Sequence, residues 1–201
     1  MTGKIHHTDN QPQGFAFTDA NLIQVTEIIA RYPAGKQQSA VMPLLTLAQK
    51  QNGGWLSKPA MDCVAHTLGM APVRVYEVAS FYTMYNLSQT GKHVIEICTT
   101  TPCWLRGSDD IVSACEKRLG IRLGETTKDA QFTLREVECL GACVNAPMCA
   151  VGPTYYEDLN PASVTALIDT LASGNKPKPG PQSGRVSSEP EGGATTLKEI
   201  K

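Results

Sequence analysis

Four of the seven cysteines fall into two close pairs, Cys98 with Cys103 and Cys139 with Cys143, with four residues inside the first pair and three inside the second. No histidine stands between or beside the members of either pair. Four converging thiolates can hold a tetrahedral zinc, a two-iron cluster or a four-iron cluster, and ligand count alone does not choose among them. Spacing favours a cluster. Zinc knuckles and ribbons bring cysteines together in compact hairpins, whereas cluster loops must also leave room for bridging sulfide. A spacer of four beside one of three resembles the roomier loops of two-iron proteins. On spacing alone, a zinc site and uninvolved thiols remain open. An odd number of cysteines, so thinly spread, does not make a disulfide-dense secreted fold.

The apolar pattern places both pairs at the same kind of position. Residues 93–98 and 132–137 read as strands, so Cys98 ends one strand and Cys139 follows another, where α/β domains build their sites. Ser108, Asp109 and Asp110 open a helix whose Ile111, Ala114, Cys115 and Leu119 face inward. Short strands are expected at 149–151 and 155–156, and Asn160-Pro161 starts a last helix through Val164, Leu167, Ile168 and Leu171. Together these describe a small α/β domain over residues 91–174. Cys115 belongs to its core, whereas Cys149 is left open between packing behind the cysteine loop, the first expectation, giving an S–H donor near it, and ligation. A bound cluster needs hydrogen-bond donors, and the turns holding Thr100, Thr101, Gly141, Ala142 and Val144 offer main-chain N–H groups. Gly141 permits close backbone approach, and Pro102 restricts the loop leaving Thr101. Arg106 is the nearest cation, so an added electron meets little positive charge and a low potential is expected. Nothing near the cysteines forms a proton-transfer pair; the chemistry expected is one-electron exchange, with no bond making.

Upstream, residues 1–16 read as a polar arm carrying His6, His7 and Asp9. Residues 17–90 read as a helical bundle. Thr18 caps a helix over 19–32 with Leu22, Val25, Ile28 and Ile29 on its stripe, and a second helix over 37–51 carries Val41, Leu44, Leu45 and Ala48 despite Pro43. Ser57 caps a third with Met61, Val64 and Leu68, beside which Cys63 reads as a buried thiol; a fourth after Pro72 carries Val75, Val78, Ala79 and Tyr82. Residues 175–201 hold four prolines and four glycines, with Val186, Leu197 and Ile200 as their sizeable aliphatics. Such a segment cannot build its own core and is expected either disordered or laid over a partner as a strap.

A formal net charge of −1 argues against a polyanion as the main partner. Residues 56–82 approximate a helix-turn-helix, but its second helix offers only Arg74, opposed by Glu77, so no nucleic-acid partner is expected. No CxxC pair supports thioredoxin dithiol chemistry, and the weak charge lacks the acidic bias of a freely diffusing ferredoxin; a permanent subunit is favoured. No signal peptide is visible. The greasiest passage, residues 40–48, contains Pro43 and Thr46 and falls far short of the ~20 residues that span a bilayer, so no direct membrane insertion is expected.

The motifs also resemble a known family, the 24 kDa or E-type subunit of NADH-quinone oxidoreductase, respiratory complex I. The resemblance runs from Asp129 through Phe132-Thr133 to Cys139-Leu140-Gly141, Cys143 and Ala146-Pro147, with Cys98-Thr99-Thr100-Thr101-Pro102-Cys103 as the earlier pair. Gly54-Trp55-Leu56-Ser57 and Val78-Ala79-Ser80-Phe81-Tyr82 extend it into the helical region, and it covers about residues 17–172. It implies an α/β chain in which an N-terminal helical bundle precedes a thioredoxin-like [2Fe-2S] ferredoxin domain, with one [2Fe-2S] cluster on Cys98, Cys103, Cys139 and Cys143. It further implies docking on the flavoprotein subunit (51 kDa, F-type) that binds NADH and FMN, and contact with other peripheral-arm subunits. The location implied is the cytoplasmic side of a bacterial inner membrane or the mitochondrial matrix side. This chain has no nucleotide motif of its own, Gly53-Gly54 reading as a helix stop. Related modules in NAD-linked formate dehydrogenases and hydrogenases are the alternative host; a structural zinc protein is a weaker one.

Overall fold

A computed structural model describes residues 11–190, 192, 193 and 196. His6, His7 and Asp9 of the arm, and Leu197 and Ile200 of the tail, lie outside the described residues. The chain divides into two compact units at the Thr90–Gly91 junction.

In the first unit, helix α1 (Asp19–Ala30) starts at Thr18, whose hydroxyl accepts from the Asn21 N–H at 3.4 Å. It buries Val25 fully and Ile28 and Ile29 in part. Leu22, expected on the buried stripe, is 48% exposed, because α1 makes its core contact through its later turns. The expected second helix is a 3-10 turn (Gln37–Ala40) followed by α2 (Val41–Gln51). Pro43 sits in the first turn of α2, where a missing N–H costs no intrahelical bond. Helix α3 (Lys58–Leu68) is capped by Ser57, whose hydroxyl accepts from the Ala60 N–H at 3.3 Å, and stops at Gly69 in the left-handed region. Its Met61, Val64 and Leu68 meet Leu44, Leu45 and Ala48 of α2 in one core, with Cys63 half-buried at the margin. Helix α4 (Pro72–Phe81) adds Val75 and Ala79. Tyr82, expected on its stripe, follows the helix in extended backbone and is exposed.

The second unit is built on a five-stranded mixed sheet in the order β2-β1-β3-β4-β5, formed by β1 (His93–Cys98), β2 (Phe132–Val137), β3 (Cys149–Val151), β4 (Thr154–Glu157) and β5 (Gly180–Pro181). Strands β1 and β2 are parallel, in register from His93 opposite Phe132 to Cys98 opposite Val137. Their crossover contains α5 (Thr101–Leu105) and α6 (Ser108–Leu119). Strand β3 runs antiparallel to β1, and β4 antiparallel to β3. Ile95, Ile97, Leu134, Cys149 and Tyr156 share a buried core with Ile111 and Cys115 of α6 and with Val164, Leu167, Ile168 and Leu171 of α7 (Pro161–Ala172). Asn160 begins α7 with a reciprocal cap: its Oδ1 accepts from the Ala162 and Ser163 N–H groups, and Ser163 Oγ accepts from the Asn160 N–H at 2.9 Å.

Between Gly180 and Glu189 the tail lies against its own domain and is not the disordered segment of the first expectation. Gly180–Pro181 pairs parallel with β4, and the segment as far as Glu189 bonds to its own domain. Proline and glycine remove side-chain burial, but strand pairing and ion pairing need no apolar core.

Candidate metal centre

Because β1 and β2 are parallel neighbours, their C-terminal ends lie side by side. Cys98 is the last residue of β1, and Cys139 follows two residues beyond Val137, its register partner. After Cys98 the chain turns into α5, with Pro102 in the first turn and Cys103 buried. Residues 99–102 read as a loop from sequence, since five helical residues carry too little periodicity to announce a helix. The second loop turns at Gly141, φ 82°, and a 3-10 turn (Cys143–Asn145) returns Cys143 to within 3.4 Å of Cys139, sulfur to sulfur. No protein atom lies within 4 Å of where a Cβ on Gly141 would sit, so glycine is required there by its backbone angle and not by close approach of the surrounding protein.

The two loops meet. Leu140 and Ala142 of the second loop pack against Cys98 and Cys103, and the Leu140 main chain and the Cys103 thiol stand near enough to Cys98 to favour its thiolate. Cys143 lies close enough to both Cys98 and Cys103 for charge on one to oppose ionisation of another. Gly141 N–H donates to Cys139 Sγ at 3.4 Å and the Thr100 hydroxyl bonds Cys98 Sγ at 3.3 Å, while the main chains of Thr100 and Met148 favour the thiolates of Cys98 and Cys103. Of the expected donors, Thr100 and Gly141 reach sulfur. Nothing in the sequence marks the main chains of Leu140 and Met148 for this, since residue type says nothing about where a main-chain N–H points.

Burial distinguishes the pairs. Cys98 and Cys103 are buried against Ala146 and Met148, while Cys139 and Cys143 are exposed. Burial opposes ionisation of Cys98, yet Thr100, Cys103 and Leu140 outweigh it and bring that thiol below its ordinary value. Cys103 is pushed up to about 12 by burial, by the neighbouring Cys98 thiol and by the charge there. Of the two neighbouring thiols one is thus easier and the other harder to ionise, so a bound cation is what would hold both as thiolates.

The remaining cysteines lie elsewhere. Cys63 belongs to the first unit. Cys115 and Cys149 pack in the core beneath α6 and α7. Cys149 therefore does not sit behind the cysteine loop. It is the register partner of Ile97, and alternation along β1 puts Ile97 and Cys98 on opposite faces, so Met148 takes the place expected of Cys149. Burial pushes Cys115 from its ordinary 9.0 up to about 12 and Cys149 further still. Between those values the unfolded chain loses the Cys115 proton while the folded chain keeps it, so stability falls as pH rises. The loss is at most about 1.4 kcal/mol per pH unit for one thiol. Urea unfolding of the full chain at pH 8 and pH 10 is expected to show the fall, and Cys115→Ala to make it shallower; an equal fall in both proteins would contradict a buried neutral thiol.

Among the described residues no group of three or more His, Cys, Asp or Glu side chains is placed to hold a single metal ion. The donors come instead as two thiol pairs on adjoining loops, with main-chain amides beside them. That set fits a group carrying two irons, each able to take one pair, and it fits the amide bonding that cluster sulfurs accept.

The sequence profile of the thioredoxin-like [2Fe-2S] ferredoxin family matches residues 25–172. The chain is 53% identical over 191 residues to the mitochondrial NADH dehydrogenase [ubiquinone] flavoprotein 2 of Dictyostelium discoideum, covering 95% of this chain and 77% of that protein. It is 57% identical over 157 residues to the E-type subunit of the NADH-quinone oxidoreductase of Rickettsia conorii, covering 78% of this chain and 94% of that one. Among solved structures, an air-oxidised NAD+-reducing [NiFe]-hydrogenase aligns with a TM-score of 0.58 at 20% identity, covering 65% of this chain but 23% of the hydrogenase chain, a likeness of fold. Three quarters of the chain, both thiol pairs included, thus match one profile, and the chain belongs to the thioredoxin-like [2Fe-2S] ferredoxin family.

Proposed function

We propose that this chain is the electron-transfer subunit of NADH-quinone oxidoreductase in which Cys98, Cys103, Cys139 and Cys143 hold one [2Fe-2S] cluster. The observation that carries the reading is the meeting of the two thiol pairs at the ends of parallel strands β1 and β2. Its close relatives are subunits of that oxidoreductase. When bound, such a cluster takes up and returns one electron at a time. The protein's part is to hold and tune it. Thr100, Leu140, Gly141 and Met148 favour the thiolates and offset the negative charge that reduction adds, while Met148 and Ala146 keep water from the inner pair. The groups nearest Cys98 and Cys103 are thiols, a threonine and main-chain amides, with no carboxylate or imidazole among them, consistent with electron exchange alone.

The electrons come from NADH through FMN, both held by the partner flavoprotein subunit. The exposed Cys139–Cys143 edge is the face for exchange, and Trp104, Leu105 and Val144, each next to a cysteine or one residue further along, expose apolar surface for docking. No helix among the described residues is long and apolar enough to cross a membrane. The chain is assigned to the peripheral part of the complex, on the cytoplasmic side of a bacterial inner membrane or the equivalent matrix side. The division at Thr90–Gly91 supports a helical domain over 17–90 and an iron–sulfur domain from 91, to which residues 175–189 are added.

Low-temperature EPR of the dithionite-reduced chain, alone and with its copurifying flavoprotein, tests the reading. A rhombic two-iron signal is expected in the isolated chain, perturbed in the presence of the reduced partner. A colourless, EPR-silent protein containing zinc would overturn the cluster, and a signal indifferent to the flavoprotein would overturn the partner.

A further inference from the structure

One guanidinium in the tail joins three separate pieces of the iron–sulfur domain. Arg185 Nε donates to Asp158 Oδ2 at 2.6 Å and its Nη2 to Asp158 Oδ1; Nη1 donates to the Glu189 carbonyl at 3.0 Å, and Nη2 to the Val144 carbonyl at 2.9 Å. The side chains of the pair are only 13% and 10% exposed. Val144 directly follows Cys143. The next residue is held too: Asn145 Nδ2 donates to Glu157 Oε2 at 2.5 Å and to the Ser187 carbonyl at 3.0 Å, and the Asp158 N–H donates to the Asn145 carbonyl at 2.8 Å. Ser183 adds a further bond to Asp158 at 2.8 Å.

This bracing falls on the exposed loop. Cys98 ends β1 and Cys103 lies in α5, and both side chains are buried against Ala146 and Met148. The Cys143–Asn145 turn has within itself only the Asn145 N–H bond to Ala142 and the Ala146 N–H bond to Cys143. We propose that Arg185 is a positioning residue for Cys143: the C-terminal segment from Gly180 to Glu189 is a strap whose guanidinium, fixed by Asp158, holds the Val144 carbonyl and so sets where the Cys143 sulfur stands. The proposal rests on the reading that Cys143 is a cluster ligand. The planar fork of arginine reaches carboxylate and carbonyls at once; the single ammonium of a lysine can keep the Asp158 pair while losing the carbonyls. The two functions of Arg185, anchoring the tail and holding the turn, are therefore separable.

The test uses the full chain as wild type, Arg185→Lys and Arg185→Ala. Amide hydrogen exchange at Asn145 and Ala146 in the metal-free proteins reports the turn. Iron release to bathophenanthroline disulfonate and the EPR line shape report the loaded site. Arg185→Lys is expected to keep wild-type circular dichroism and melting, yet to exchange at Asn145 and Ala146 about tenfold faster, release iron about tenfold faster and broaden the EPR signal. Arg185→Ala is expected to do all of this and to lower the melting temperature as well. Wild-type exchange and iron release in Arg185→Lys would overturn the proposal. A wild-type chain that binds no iron would overturn the cluster reading instead, and faster exchange in metal-free Arg185→Lys would then still uphold the strap.

Discussion

Replacing Cys98 or Cys139 by alanine is expected to remove nearly all the iron and acid-labile sulfide from the purified chain and to bleach its visible absorption, whereas Cys63→Ala and Cys115→Ala keep both. The contrast follows from position. Cys98 ends β1 with the second loop packed against it, and Cys139 faces Cys143 across 3.4 Å, so each substitution removes one member of a proposed ligand pair. Cys115 lies buried in the core beneath the helices, where its loss costs packing of about 1–3 kcal/mol, and Cys63 lies half-buried in the other unit, where the cost is smaller; neither touches a proposed ligand. Iron and sulfide assays on the four variants, expressed and purified alike, decide it. Iron retained in Cys98→Ala and lost from Cys115→Ala would invalidate the ligand assignment.

The second large effect is expected at Gly91. A Cβ there would stand 2.6 Å from the carbonyl carbon of Phe132, 2.7 Å from its nitrogen and 2.9 Å from its Cα, all backbone atoms that cannot rotate away. The Gly91 N–H also donates to Thr133 Oγ1 at 2.6 Å, so the chain cannot back off without breaking that bond. Gly91→Ala should therefore destabilise the second unit by ~2–3 kcal/mol and lower its melting temperature by ~10 °C or more. Because the strain acts at the start of the β1–β2 ladder whose far end holds Cys98, iron content should fall with it. A Gly91→Ala chain that melts like the wild type would show that the two strands separate more easily than their register implies.

Gly91 also marks where sequence reading stops. As a lone glycine it announces only a change of pattern; that it must be glycine depends on a strand some forty residues later. By contrast, the strands at 93–98, 132–137 and 149–151 were legible to the residue, because alternating apolar side chains and flanking breakers are local signals. The caps at Thr18, Ser57 and Asn160 were legible for the same reason. Leu22 and Tyr82 misled because a helical stripe says which side is apolar but not how far along the helix the neighbour extends. Helix α5 was too short to see. Arg185 carried no signal at all: one basic residue in a proline-rich stretch resembles any solvated charge, and its partners Asp158 and Val144 are distant in sequence.

Local chemistry written in the chain thus determined the four thiols, their grouping in pairs and their place after strands. Those features depend on residue type and short-range periodicity. Tertiary structure alone decided that the two strands lie parallel and adjacent so that the loops meet, that Cys149 faces the helices while Met148 lines the site, and that the tail returns to brace Cys143. Each of these turns on which distant main-chain group or strand edge becomes a neighbour, and only the folded chain selects among many equivalent partners.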